Sequence, residues 1–312
     1  MIACFTTKRI LMKYIVLILF SVPLFSLSQR FYNTDDYFSI SNPSAFAEKK
    51  IYATGVFNFN NLNSVNSNYS YAIFKHHIKK TRISVGFNGD FQNFGVFKST
   101  RGALQVAHSW ILSRKLILNS GLGINASKDN FKYFESDYPI KFSNWNPAYI
   151  GIDAGVNLLS RKWNVGFSVT NLNQGKRIID TTLSKTNTYL TFFGSYDFKL
   201  DSLGKFHLVP SLFVEYSPAG SLSTYLNLKF NFGKKSRYSS QTQSIGLGYG
   251  PRNPSLFYQY KFNNGITVGA SIGKYVSKLY TKNNSWNCIL SINYSVNGRR
   301  RSIPKPPMSP AF

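Results

Sequence analysis

The chain has 312 residues, a formal net charge of +25, and equal shares of charged and aromatic residues, 16% each. Soluble globular domains average about 25% charged residues, so this composition argues against an ordinary soluble protein and is typical of a transmembrane β-barrel with aromatic girdles. The excess of positive charge favours polyanionic partners in general. The sequence contains no recognition helix or RNP-type motif, so nucleic acid is not expected among them.

Residues 1–28 are typical of a secretory signal peptide. Basic residues precede an apolar run at 14–20, and Pro23 interrupts this region before it reaches the ~20 residues that a membrane helix needs. We therefore predict export and cleavage before Gln29, with an uncleaved N-terminal anchor as the alternative. No second long apolar run follows, so the mature chain is expected to enter a membrane by strands.

Segment 29–50 has no clear hydrophobic period and is predicted to be an N-terminal lead-in to the first strand. Pro43 fixes its own φ and pushes Asn42 toward an extended conformation. Such a segment suits a position against the rim of a barrel or inside its mouth. Asn42 and Pro43 are therefore candidate partner-binding residues.

From Ile51 to Val296 the sequence is a succession of strand candidates with a period of two. In the segment 150–172, apolar residues alternate with glycine and small polar residues that could not fill a sandwich core. We predict an all-β fold, an antiparallel transmembrane β-barrel of about 14 strands that occupies residues 51–296. The strands are expected at about 51–59, 69–78, 82–91, 102–112, 115–126, 150–159, 162–171, 187–199, 206–217, 223–232, 244–250, 255–262, 265–276 and 286–296.

Charged residues within these strands fall on the polar face. Arg82, Asp153 and Lys229 each alternate with apolar neighbours. Since an Arg or Lys that faces lipid at mid-depth would cost about 2 to 4 kcal/mol, we expect these side chains to point into a polar interior.

The connections between predicted strands alternate in length. Short ones such as Ser160-Arg161 are expected on the periplasmic side, and long ones on the outer side. The rule fails at 233–243, which is long, and at 251–254, which is short. Either a strand is misplaced there or that region is atypical.

The longest connection, 127–149, is rich in aromatic residues. A connection of this length is usually functional or disordered, and aromatic enrichment is typical of protein interface cores. It could bind a partner or occlude the pore; the alternative is an ordered surface loop whose aromatics pack among themselves. The candidate partner-binding residues are Phe131, Tyr133, Phe134, Tyr138 and Trp145.

Residues 297–312 form a basic, proline-rich tail in which no further regular strand is expected. The tail could bind an acidic periplasmic partner, or it could be a solvated terminus.

No pattern in the sequence predicts an enzyme, a metal site or a cofactor. The motifs CxxC and HExxH are missing from the sequence, and the one Gly-x-Ser-x-Gly spacing, Gly269 to Gly273, lies inside a predicted strand and not at the strand-to-helix turn that a hydrolase nucleophile needs. Cys288 is the one cysteine beyond the leader, so no internal disulfide is expected.

Four short motifs follow one another along the chain: Asn42-Pro43-Ser44-Ala45-Phe46, the Val-Gly-x-Ser-Val-x-Asn-Leu end of segment 151–172, Leu208-Val209-Pro210-Ser211-Leu212, and the glycine-rich segment 265–275. In this order they resemble the PorP/SprF family of outer-membrane proteins, which is associated with the type IX secretion and gliding machinery. Two positions depart from the family pattern: Lys274-Tyr275-Val276 lacks an Asp, and Trp286-Asn287-Cys288 stands where a His-Glu dipeptide usually opens the last strand.

The resemblance implies a noncatalytic barrel in the outer membrane that exports cargo or holds a secreted surface protein. Its expected partners are outer-membrane lipid, periplasmic or lipoprotein components of the secretion machinery, and the C-terminal domain of a secreted adhesin or enzyme. A polar interior is also compatible with a barrel that transports small solutes or apolar ligands. A soluble lipid-binding β-protein is a third and weaker interpretation.

Overall fold

The computed structural model describes residues 34–45, 49–62, 65–94, 97–113, 115–131, 148–173, 176–179, 182–185, 188–201, 205–218, 221–233, 242–250, 253–275 and 285–297. The predicted signal peptide and the tail beyond Asn297 lie outside these ranges. Within them, no helix combines the length and the apolarity needed to cross a membrane.

Within the described ranges, one short helix, α1 (Thr34–Ser41), precedes the strands. The strands are β1 (Lys49–Leu62), β2 (Val65–Ile78), β3 (Ile83–Phe94), β4 (Phe97–Ser113), β5 (Leu116–Phe131), β6 (Ala148–Ser160), β7 (Trp163–Thr170), β8 (Lys176–Ile179), β9 (Thr182–Lys185), β10 (Tyr189–Tyr196), β11 (Phe198–Lys199), β12 (Phe206–Ser217), β13 (Ser221–Phe232), β14 (Thr242–Gly250), β15 (Asn253–Lys261), β16 (Ile266–Tyr275) and β17 (Ser285–Asn297).

Fourteen of the described strands form one closed antiparallel barrel, which confirms the predicted fold. Each strand pairs with its neighbours in sequence, β17 returns to pair with β1, and β10 pairs with both β7 and β12. The short β11 extends the pairing along β12, while β8 and β9 form a separate hairpin in the connection between β7 and β10. Closure leaves no unpaired sheet edge, as a barrel in lipid requires.

The period-two pattern separates an apolar outer surface from a buried inner one. In β6, Ile150, Ile152 and Val156 are exposed on the outside, whereas Asp153 and Asn157 are buried in the lumen. Lipid covers such an outer surface in a membrane barrel. Arg82 differs from the expectation, because it lies exposed in the turn between β2 and β3 with a φ of 56° and is not part of a strand.

The lumen has two chemically different halves. Asparagine, serine and aspartate line it along β3 to β7, as expected for a polar interior. The other half also has buried polar residues, such as Thr54, Ser211 and Gln259, but it adds a cluster of apolar and aromatic side chains, which differs from that expectation. The inward side chains there include Val56, Tyr71, Ile73, Phe193, Phe213, Tyr225, Phe257 and Ile289.

The connection-length rule fails at both ends of the barrel. On the outer side only two residues join β1 to β2 and β3 to β4, because these strands extend further than predicted. The strands β13 and β14 lie where they were predicted, with β13 ending at Phe232 and β14 beginning at Thr242. The long connection between them leaves the end of the barrel that carries the β2–β3 and β6–β7 turns. Most of this connection lies outside the described residues.

The pairing of β1 with β17 predicts where an engineered disulfide can join the two ends of the barrel. Phe59 in β1 is the backbone partner of Cys288 in β17, and directly paired residues of an antiparallel ladder lie within about the 4.4 to 6.8 Å that a disulfide spans. In a Cys4→Ser background, Phe59→Cys should therefore cross-link to Cys288 on oxidation. Proteolytic fragments from the two ends of the chain should then stay joined on a non-reducing gel.

The matched control is Phe57→Cys, which pairs with Leu290 and should not cross-link. Cross-linking from Phe57→Cys and not from Phe59→Cys would contradict the register between the first and last strands.

Candidate functional site

Residues 34–45, here called the plug, lie inside the barrel. The helix begins with Thr34 and Asp35, residue types that favour a helix N-terminus. It ends at Ser41, with the Asn42 backbone N–H donating to the Phe38 carbonyl at 2.9 Å. Pro43 cannot continue the helix, so the chain turns at this point within the lumen.

The plug packs its apolar side chains against the aromatic half of the lumen. Phe38 and Ile40 are buried, and the Phe38 ring stacks on Phe193 with 4.6 Å between ring centroids. Helix α1 also contacts β7, β12 and β13. Burial of a large apolar side chain contributes about 1.5 to 3 kcal/mol, so these two residues alone hold the plug firmly.

Asn42 is the polar anchor of the plug and is completely buried. Its Oδ1 accepts the Ser44 backbone N–H at 2.8 Å and the Ser44 hydroxyl at 2.6 Å. Its Nδ2 donates to the carbonyls of Val156 at 3.3 Å and Phe167 at 3.2 Å, which belong to β6 and β7. One side chain thus fixes the turn and ties it to the barrel wall.

Lys75 ties the plug to β2. Its ammonium group donates to the carbonyl of Ser39 at 2.7 Å and to that of Ala45 at 2.9 Å. The side chain is buried, and burial of such a polar group is costly unless it is hydrogen-bonded. Lys75 therefore links the residues before and after the Asn42-Pro43 turn to the wall.

Wall side chains also satisfy the carbonyls at the end of α1. Asn88 and Gln105, on β3 and β4, each donate to the Ile40 carbonyl at 3.2 Å. The hydroxyl of Ser168 on β7 donates to the Ser41 carbonyl at 3.0 Å. Carbonyls at a helix C-terminus lack hydrogen-bond donors within the helix. Side chains of the barrel wall supply these donors.

Three glycines in β5, β6 and β7 leave room for the plug. A Cβ built at any of them would come closer to plug atoms than real side chains do. A Cβ added at Gly121 would lie 2.7 Å from the Pro43 backbone, one added at Gly155 would overlap Asn42 Oδ1, and one added at Gly166 would overlap the Phe38 ring.

The plug reaches across the lumen. Ile40 is bonded by Asn88 on β3, while helix α1 also contacts β13. In the strand order, β3 and β13 are seven positions apart in the ring of fourteen, so they lie on opposite walls. The plug thus bridges the barrel from wall to wall.

A second polar group, called the outer cluster, consists of Arg101, Asn125, Asp153 and Asn171. The buried carboxylate of Asp153 accepts Arg101 at 3.1 Å, Asn125 at 2.7 Å and the Asn171 backbone N–H at 3.0 Å. Gly151 leaves the space in which the Asn125 and Asn171 side chains meet. A buried charge with this many donors is well compensated.

The outer cluster fixes the base of the connection that follows β7. Asn171 has a φ of 57°, a left-handed conformation that asparagine tolerates better than most residues. The chain turns there, and the Leu172 N–H donates to the Ile152 carbonyl at 2.8 Å. Asn173 then bonds the backbone of Ile152 and Ile150.

The candidate partner-binding residues fall into two groups. Asn42 and Pro43 lie in the plug, buried within the lumen. Phe131 is the last residue of β5, at the start of the long connection. Tyr133, Phe134, Tyr138 and Trp145 lie outside the described residues. The plug and the loop aromatics are therefore separate features of the molecule.

Three features were not predicted from the sequence. These are the bonds of Lys75 to the plug, the position of Asp153 at the centre of the outer cluster, and the contact of the wall glycines with the plug. Lys75 gave a usable signal, because it is a charge that shares one face of β2 with Tyr71 and Ile73. The glycines gave none, since glycine is common on the inner face of the strands.

A closed antiparallel barrel with an apolar outer belt defines an outer-membrane β-barrel, and here the lumen is bridged by the chain's own N-terminal segment. Residues 38–294 match the family model described as type IX secretion system membrane protein PorP/SprF. The match spans most of the chain, which therefore belongs to the PorP/SprF family and resides in the outer membrane.

Solved structures show the same fold at low sequence identity. A monoaromatic hydrocarbon channel, CymD, is 10% identical with a TM-score of 0.52, covering 86% of this chain and 94% of the channel. The toluene transporter TodX of Pseudomonas putida is 9% identical with a TM-score of 0.52, covering 89% and 100%. TbuX, the toluene transporter of Ralstonia pickettii, is 11% identical with a TM-score of 0.51, covering 83% and 93%. No curated protein sequence matches the chain. The family and these structures are secretion or channel barrels.

Proposed function

We propose that the barrel is a noncatalytic interaction component of the type IX secretion and gliding machinery. In this role it binds other envelope proteins, or a secreted surface protein, for export or surface anchoring. The observation that carries the proposal is the plug, which bridges opposite walls and is held by Asn42 and Lys75. A barrel closed in this way is better suited to binding than to conduction.

The outer connection between β5 and β6, predicted at 127–149, is the proposed binding surface for a secreted adhesin or enzyme C-terminal domain. Its aromatic residues Phe131, Tyr133, Phe134, Tyr138 and Trp145 are of the types that dominate interface energetics. At the opposite rim, the exposed turn residues Lys80 and Lys162 give a basic surface for periplasmic or lipoprotein components.

The alternative function is transport of small solutes or apolar ligands. The aromatic half of the lumen supports this candidate, because Phe193, Phe213 and Phe257 would suit an apolar ligand once the plug moved. Similar folds are found in hydrocarbon channels.

A pull-down in mild detergent from the native outer membrane, followed by mass spectrometry, tests the proposed function. We expect secretion-machinery components or one specific surface protein to come with the wild-type chain. Replacing Tyr133, Phe134 and Tyr138 by serine should reduce recovery of the surface protein by about tenfold or more, because truncation of interface aromatics commonly costs about 2 kcal/mol or more.

The matched control replaces Lys132, Glu135 and Asp137 by serine in the same connection. Recovery should then stay near the wild-type level. Recovery of the barrel alone in every case would contradict the interaction role and favour the transport function.

A further inference from the structure

The outer surface of the barrel carries a hollow of about 600 Å³ across β3 to β7. Ile83, Leu122, Val156 and Phe167 surround it, and the small side chains of Ser120 and Ala154 lie between them. The backbone register places these residues in two adjacent rows of the sheet. The volume is within the range of ligand pockets, about 300 to 1,000 Å³, and the larger side chains around it are exposed on the lipid side.

One corner of the hollow is basic. Ile83, which lines the hollow, directly follows the exposed turn residues Lys79, Lys80 and Arg82. The Arg82 carbonyl accepts the Ser109 N–H at 2.9 Å, and Ser109 is next to His108, another lining residue. The turn is therefore fixed beside the hollow by the sheet itself.

Trp110 and Ser120 form a hydrogen-bonded pair at the edge of the hollow that is nearest to the β2–β3 turn. Trp110 donates its indole N–H to the Ser120 hydroxyl at 3.2 Å, and its ring meets His108 with 4.5 Å between centroids. Tryptophan is enriched where a membrane barrel meets the headgroup region. This edge thus marks the transition from acyl chains to headgroups, at the end of the barrel that carries the β2–β3 and β6–β7 turns.

We propose that the hollow is a specific binding site for an anionic diacyl phospholipid. An acyl chain fills the hollow over Ser120 and Ala154, and the phosphate lies against Lys79, Lys80 and Arg82. An apolar cavity alone would accept any chain; the adjoining basic turn selects a negatively charged headgroup, since anionic lipids are attracted to clustered Lys and Arg near the membrane surface.

The site lies back to back with the plug. The backbone at Gly121 and Gly155 borders the hollow on the lipid side and faces Pro43 and Asn42 on the lumen side. The wall between lipid and plug is one strand layer thick. A bound lipid would therefore stiffen the part of the wall against which the plug is held.

Native mass spectrometry of the full barrel, titrated with dioleoyl phosphatidylglycerol or dioleoyl phosphatidylcholine, tests the proposal. These probes share their acyl chains and differ in headgroup charge. We expect one phosphatidylglycerol to bind with about a hundredfold higher affinity than phosphatidylcholine, because each of the three basic side chains attracts the anionic headgroup.

Two variants separate the contributions of chain and headgroup. Ala154→Leu fills the hollow and should abolish retention of both lipids. Lys79→Ala combined with Lys80→Ala and Arg82→Asn should remove the preference for phosphatidylglycerol and leave the phosphatidylcholine level unchanged. Asparagine is chosen at position 82 because it tolerates the positive φ there.

The matched controls are Ala126→Leu, a lipid-facing alanine of β5 outside the hollow, and Lys199→Ala with Lys205→Ala between β10 and β12. Both should bind like the wild type. Equal affinity for the two lipids, or unchanged binding by Ala154→Leu, would overturn the proposal. So would a photo-crosslinker at Ser120 that captures a protein and no lipid in native membranes.

Discussion

Gly121→Ala is expected to displace the plug while the barrel stays folded. The new Cβ would lie 2.7 Å from the backbone of Pro43 and Ser44, which cannot move aside as a flexible side-chain end can. Overpacking of this kind costs about 1 to 3 kcal/mol. Because β5 keeps its pairing with β4 and β6, the strain should fall on the attachment of the plug.

The displacement can be measured by maleimide labelling at Ala45→Cys in a background where Cys4 and Cys288 are replaced by serine. Ala45 is buried, and its carbonyl bond to Lys75 does not depend on its side chain. Labelling should be slow with the native wall and about tenfold faster with Gly121→Ala, since about 1.4 kcal/mol corresponds to a factor of ten.

Gly55→Ala is the matched control, because its nearest heavy atom would be 3.9 Å from the new Cβ. Its labelling rate should equal that of the parent chain. Equal protection of Ala45→Cys in the Gly121→Ala variant would show that the plug does not rest on this part of the wall.

Asp153→Ala is expected to lower the free energy of unfolding by about 3 kcal/mol or more. It removes the acceptor for Arg101, for Asn125 and for the Asn171 backbone N–H. The loss should be seen in urea titrations of the barrel in lipid vesicles. Protease should also cut the connection at 172–188 faster, because the outer cluster holds its base.

A double-mutant cycle separates the ion pair from the rest of the cluster. If Arg101 and Asp153 stabilise each other, Arg101→Ala combined with Asp153→Ala should be less destabilising than the sum of the two single changes. Additive losses would contradict the coupling. Asp153→Asn should lie between the wild type and Asp153→Ala, since an amide keeps one acceptor oxygen.

The strands of the barrel could be predicted from the sequence because one physical constraint acts on each of them. Lipid on one side and the lumen on the other impose a period of two, as in Ile150 to Val156. Where the lumen side is itself apolar this signal weakens. Phe192 and Phe193 are adjacent phenylalanines, one exposed to lipid and the other buried against Phe38, so composition alone does not tell which is inside.

The plug could be predicted only as a segment that might enter the barrel. Helix α1 has eight residues and little amphipathic character, and short helices gain most of their stability from tertiary contacts. Its position depends on contacts with residues far along the chain, such as Lys75 and Ser168. No local sequence pattern predicts such contacts, although Asn42 of the first family motif donates to the carbonyl of Phe167, which lies in the second.

The central claim is that the wild-type barrel is closed by its own N-terminal segment and acts by binding. Single-channel recording in planar bilayers tests it most directly, with wild-type and Gly121→Ala proteins compared under the same conditions. We expect no steady current through the wild type and measurable openings in the variant. Steady ion conduction by the wild-type barrel would show that the plug does not close the lumen.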